Sequence, residues 1–352
     1  MLHPLIFKLM CALVGLSLCS IGVAVTLERF PARLTHQLTF YSRRSGNFEI
    51  YLADVDRSLV INLTRNEADD ILPTWSLDGQ QLAFYSTRGT VGGLYRMISD
   101  DQPAHRITAS GHVETYPMWS HDGRAITYSS DRRGGFGIYS VDISGGIPAR
   151  ISDHLATRMV YSPDGRRIAF IADCDNNCDL FIMDADGQNL HPLTRNGSFD
   201  VFPDWSPDSR HIAFVSSRDD FFELYMVDTD CIELAVDCNR ATVRLTYNRD
   251  FDGYPVWSPD GKKLLFSSDR DGNFELYTLD MTCLAALDDC DQTARRLTHH
   301  PARDTSPSWS PDGRWIAYIS GRAVYVMDSD NGRPRRIMDD VLPDQFLVWR
   351  PG

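Results

Sequence analysis

The sequence predicts an all-β fold, a seven-bladed β-propeller, on three observations: a phrase repeated seven times, its regular spacing, and chain ends that complement one another. The phrase joins an aromatic residue, a tight turn built on Asp-Gly, and an aliphatic strand. It reads WSLDGQQLAF from Trp75, WSHDGRAITY from Trp119, YSPDGRRIAF from Tyr161 and WSPDSRHIAF from Trp205. WSPDGKKLLF follows from Trp257 and WSPDGRWIAY from Trp309, and a seventh copy begins in LVWRPG at Trp349. Successive aromatics are 44, 42, 44, 52, 52 and 40 residues apart. A period of about 40–50 residues with strand-turn-strand content is what one four-stranded blade per repeat produces.

Each repeat spells four strands. Strand a ends at the aromatic, as in YPMW before Ser120. The SPDG turn puts Pro at i+1 and Gly where positive φ is needed, which suits a tight hairpin. Strand b alternates, as in KKLLF, and strand c is the ELY or IY segment, such as Leu94-Tyr95 or Leu276-Tyr277. Strand d precedes a Thr, as in RLT at Leu245-Thr246 and Leu297-Thr298. The two longest repeats owe their length to insertions between strands c and d. Residues 38–64 supply strands b, c and d with no aromatic phrase before them, and residues 346–349 supply the missing strand a. Joining the two closes the ring and removes exposed sheet edges.

Ahead of the ring, residues 1–27 read as a signal anchor or a signal peptide forming an apolar helix, and residues 28–36 as a linker to a propeller over 37–352. The uncharged run Leu9 to Leu27 is long enough to span a bilayer, while Gly22 and Ala24 would allow cleavage before Val25. Either reading takes the propeller out of the cytoplasm, to the periplasm or cell surface, and the membrane is touched only by this segment. Six cysteines form three close pairs, Cys174 with Cys178, Cys231 with Cys238 and Cys283 with Cys290. Zinc would want histidines at finger spacing, so three local disulfides in an oxidising compartment are expected. A net charge of −13 with no basic stripe excludes a nucleic-acid partner.

WSPDGKKLLFSSDRDGNFELY, from Trp257 to Tyr277, resembles the repeat of TolB-type β-propellers, related to the propeller of prolyl oligopeptidases. The resemblance covers almost everything after residue 36. It implies a periplasmic or extracellular binding scaffold rather than a particular ligand.

Two polar series run through the repeats. An acid stands five residues before the aromatic: Asp70, Glu114, Asp200, Asp252, Asp304 and Asp344. An arginine stands four residues after the aromatic that ends strand b: Arg44, Arg88, Arg132, Arg218, Arg270 and Arg322. Only the Tyr161 repeat lacks both, with Ala156 and Cys174 in their places. Joint loss is what an ion pair predicts and a metal-binding carboxylate ring does not. The expected pairs are Asp70–Arg88, Glu114–Arg132, Asp200–Arg218, Asp252–Arg270, Asp304–Arg322 and, across the chain ends, Asp344–Arg44. SSDRDGNFE lacks the ligand spacing and flanking helices of a calcium loop. No nucleophile elbow, zinc-protease helix, phosphate loop or redox Cys pair is present. The sequence therefore predicts no catalytic residue, cofactor or metal, and a monomeric, non-enzymatic scaffold binding a protein or cell-envelope component. The alternative is a propeller glycan lyase or hydrolase whose site is assembled across blades. Function should lie where the blades differ: in the Tyr161 repeat and in the two cysteine-closed insertions, whose apolar residues Ile232, Leu234, Val236, Leu284 and Leu287 form the candidate partner surface.

Overall fold

The computed structural model describes residues 36–98, 102–108, 111–132, 136–154, 156, 158–172, 174, 177–286, 289–330, 332–342 and 346–352. The expected N-terminal helix and cleavage site, and the linker as far as residue 35, fall outside them. Among the described residues no helix is long and apolar enough to cross a membrane.

The described residues form seven four-stranded antiparallel sheets. The Trp75 blade shows the pattern: Asp70–Trp75, Leu82–Ser86, Gly93–Met97 and His105–Arg106 run from inner to outer strand. The closing blade draws on both ends of the chain. Val348–Trp349 pairs with Gln37–Ser42, with Leu38 opposite Trp349 and Thr39 opposite Val348, and Glu49–Asp54 and Leu59–Asn62 follow outward. Arg350 fastens the seam. Its backbone N–H donates to the Gln37 carbonyl at 2.8 Å, its Nη1 to Gln37 Oε1 at 2.6 Å and its Nε to the Gly79 carbonyl at 2.7 Å. A side chain at Gly79 would strike the Pro351 carbonyl, and its φ of +62° already favours glycine.

The repeated turn explains the repeated sequence. In each of six blades the Ser hydroxyl donates to the Asp carboxylate two residues on, as Ser258 does to Asp260 at 2.7 Å. The same oxygen accepts from the first residue of strand b, here the Lys263 N–H at 2.9 Å. Glycine takes the positive φ that follows, and Ser209 adopts it (φ 61°) where the motif reads SPDS. Strands b and c are then buried on both faces, alternate side chains packing against the blade on either side: Tyr51 and Ala53 meet Ala317 and Ile319 of the preceding blade. One buried cluster, for example, joins Ile50 and Leu52 of the closing blade to Trp75, Leu82 and Phe84 of the next. Cohesion therefore comes from face-to-face packing of neighbouring sheets.

Meander topology fixes the two faces of the disc. All a–b turns and c–d connections lie on one face, and all b–c and d–a connections on the other. The insertions contain short helical turns, Asp230–Glu233 and Cys283–Ala286, and a 3-10 turn at Cys290–Thr293.

Candidate functional site

The acid and arginine series meet on the b–c and d–a face. Asp70, Glu114, Asp200 and Asp252 have fully buried side chains at the start of strand a. The register sets each opposite the last serine of strand b, as Asp70 lies opposite Ser86. The arginine two residues further on reaches back: Arg88–Asp70 is 2.7 Å, Arg132–Glu114 2.5 Å, Arg218–Asp200 3.3 Å and Arg270–Asp252 2.8 Å. Asparagines supply further donors, Asn66 to Asp70 at 2.6 Å and Asn196 to Asp200 at 2.8 Å. Each guanidinium also lies near two rings, as Arg270 does near Phe266 and Tyr277.

The fifth expected pair is not formed. Asp304 is buried, and neither of its carboxylate oxygens has a hydrogen-bond partner of ordinary geometry, although the Ser320 and Thr298 hydroxyls face it. Arg322 is exposed. The cause is the length of the b–c connection. Ser320 pairs directly with Ala323, so Arg322 stands at the tip of a two-residue hairpin and points away. Burial pushes the Asp304 carboxyl up to about 6. Asp344, partner in the sixth pair, lies outside the described residues, and Arg44 is exposed.

The central channel is built differently. Five blades carry Pro two residues before the aromatic, and there strand a is bulged: Leu72, Tyr116, Phe202, Tyr254 and Ser306 all take φ between 52° and 56°. The Tyr161 blade has Met159 at the proline position. Its strand Arg158–Tyr161 pairs without interruption, Arg158 opposite Ile171 through Tyr161 opposite Ile168. Arg158 occupies the channel position that the bulged residue fills elsewhere. Here the channel widens into an open cavity of about 520 Å³, walled largely by apolar and aromatic groups including Leu72, Tyr116, Met159 and Phe346.

Arg158 is the only lysine or arginine lining the cavity among the described residues. Its guanidinium lies 4.4 Å from the Phe346 ring centre and 5.1 Å from that of Phe202. Its Nη1 is buried without a hydrogen-bond partner, and among the described residues it forms no ion pair with a carboxylate. The nearby Asp204, from the next blade, instead accepts the backbone N–H of Trp257 at 2.8 Å. Burial raises the Asp204 carboxyl to about 7 and lowers the Arg158 guanidinium to about 10, each offset in part by the other's charge. Sequence reasoning named the Tyr161 repeat as irregular but missed these two residues. The available signal was RMVY in place of the recurring x-Pro-x-Trp.

At the rim, Cys231–Cys238 and Cys283–Cys290 are disulfides closing the two c–d insertions, and Cys174–Cys178 closes a b–c loop. The candidate partner residues divide. Ile232 and Leu284 pack down on blade cores, whereas Leu234 is 71% and Val236 51% exposed. Leu287 lies outside the described residues. Beside the first insertion a groove of about 440 Å³ runs against the outer strand of the Tyr161 blade, lined by Pro192, Leu193, Ala235 and Val236. These insertions leave the ring on the face of the a–b turns that edge the cavity, Leu77 and His121 among them, and run over the rim towards the other face, where Asn239 accepts from Asn196 and Asp291 from Arg270 and the Tyr247 N–H.

Comparison with solved structures settles the architecture. TolB from Acinetobacter baumannii superposes with a TM-score of 0.56 at 19% identity, over 91% of this chain and 84% of that one. The chain has the TolB-like propeller fold. An oligogalacturonate lyase in complex with manganese also superposes, with a TM-score of 0.64 at 17% identity, over 85% of this chain and 84% of that one. The family model of the dipeptidyl peptidase IV N-terminal region matches residues 258–347. An uncharacterized protein of Agrobacterium fabrum is 36% identical over 94 residues, 26% of this chain and 29% of that protein. The matched stretches span less than a third of the first curated relatives' lengths.

Proposed function

We propose that this chain is a non-enzymatic, extracytoplasmic scaffold that binds a protein or cell-envelope component through the face carrying the a–b turns and c–d insertions. One contrast carries the reading. The recurrent charged groups of the opposite face are largely spent on one another, as in Arg88–Asp70, while this face offers an apolar channel mouth and disulfide-closed loops with Leu234 and Val236 outward. Loops already held in shape bind with little ordering cost. Local disulfides belong in an oxidising compartment, in line with residues 1–27 acting as a signal anchor or signal peptide. The scaffold acts as a monomer and without nucleic acid.

Replacing only the outward residues 234–236 with Gly-Ser, with Ile232 and Leu284 left in their core positions, should abolish capture of an envelope partner while the melting temperature moves little. The rival is a propeller enzyme acting on glycans or peptides. It draws on the fold likeness to a lyase and on Asp204, whose carboxyl near 7 suits proton transfer. Turnover of oligogalacturonate or a peptide amide by the purified propeller, lost in Asp204→Asn, would replace the scaffold reading.

A further inference from the structure

Arg158 poses a problem that the partner surface at the rim does not solve. Six of the seven channel positions equivalent to it hold Leu72, Tyr116, Phe202, Tyr254, Ser306 and Phe346, none of them charged. A guanidinium among apolar groups is costly unless its donors are matched, and removing it from water without a counter-ion is costlier still. Two ring faces compensate part of that cost, but rings leave in-plane donors unsatisfied. Nη1 is one such donor. Asp204 does not take it: the hydrogen bond its Oδ2 accepts comes from the Trp257 N–H of the following blade.

We infer that the channel cavity is a binding site for an organic carboxylate with an apolar or aromatic body, the carboxylate accepting from Arg158 and the body lying against Tyr116, Met159 and Phe346. A planar monoanion matches the fork of one guanidinium. A phosphate dianion fits poorly, since a single cation faces it and Asp204 stands alongside. About 520 Å³ accommodates a group of small-ligand size, and the largely apolar wall rewards burying a ring. The same chemistry belongs to a small free acid and to the terminal residue of a peptide chain. The site is separate from Leu234 and Val236, so it stands or falls apart from the rim surface.

Calorimetric titration of the full propeller with N-acetylphenylalanine, its amide, and the tripeptide Gly-Gly-Phe tests it. The acid should bind at least about tenfold more tightly than the amide, the difference a charged hydrogen bond makes. Arg158→Met should erase that preference, and Arg158→Lys should keep part of it, both with melting temperatures near the parent's. Tighter binding of Gly-Gly-Phe would identify a chain terminus as the source, and tighter binding of N-acetylphenylalanine a free acid. Equal affinity for acid and amide, or no saturable binding of either acid up to about 10 mM by folded protein, overturns the inference. So does an acid preference that survives Arg158→Met.

Discussion

Asp304 and Asp70 occupy the same place in two blades and should answer pH in opposite ways. Asp70 faces Arg88, and replacing it with Asn strips a buried charge of its partner, costing about 3 kcal/mol at pH 7. Asp304 has no arginine or lysine partner among the described residues, and its carboxyl sits near 6, above the ordinary value of 3.8, because of burial. The folded state thus takes up a proton that the unfolded chain releases. That contribution to stability is complete below about pH 4 and is lost as pH rises towards 6. Asp304→Asn should therefore raise the melting temperature at pH 8 and leave it nearly unchanged at pH 4, a difference of up to about 3 kcal/mol. Thermal melts of both variants at the two pH values decide the matter, and a destabilised Asp304→Asn at pH 8 would show that the carboxylate is paired after all. Asp204 and Glu223, each raised by burial to about 7, push the whole protein in the same direction. The spacing of acid and arginine made four of these contacts readable in the sequence. It could not reveal that Gly321-Arg322 closes a two-residue hairpin, since that depends on where pairing resumes.

Among elements, strand a and the c–d insertions set this ring apart blade by blade. The aromatic-turn phrase was legible because every blade solves the same hairpin problem with the same serine, aspartate and glycine. The channel was not, because its lining depends on a bulge, and the extra residue of a bulge changes which side chains face inward. Pro73, Pro117, Pro203, Pro255 and Pro307 mark the bulged strands, and Met159 marks the regular one. At the rim, apolar composition alone could not separate Ile232, which packs down, from Leu234, which does not. Leu234→Asp with Val236→Asp should leave the melting temperature within about 1 °C, as exposed substitutions do, yet weaken partner capture at least tenfold. Unaltered capture would remove these residues from the interface. Replacing Cys231 and Cys238 by serine should cost about 2 kcal/mol, the value for so short a loop, as read by denaturant midpoints.

For the whole molecule, closure depends on a two-residue strand, Val348–Trp349, and on Arg350 reaching Gln37 and Gly79. Deleting residues 345–352 should expose the edge at Gln37–Ser42 and produce aggregation or a lowered melting temperature. A truncated chain as stable and soluble as its parent would contradict that role. The closed ring leaves two faces of different character. One carries the buried ion pairs, the other carries the channel mouth, and the insertion bearing Leu234 and Val236 runs over the rim between them. In-cell photo-crosslinking from single sites on the two faces tests the functional claim most directly. A crosslinker at Val236 should yield a discrete adduct with an envelope component, and one at Arg322 on the opposite face should yield none. Adducts from Arg322 alone, or none from either site, would contradict the assignment of the binding face.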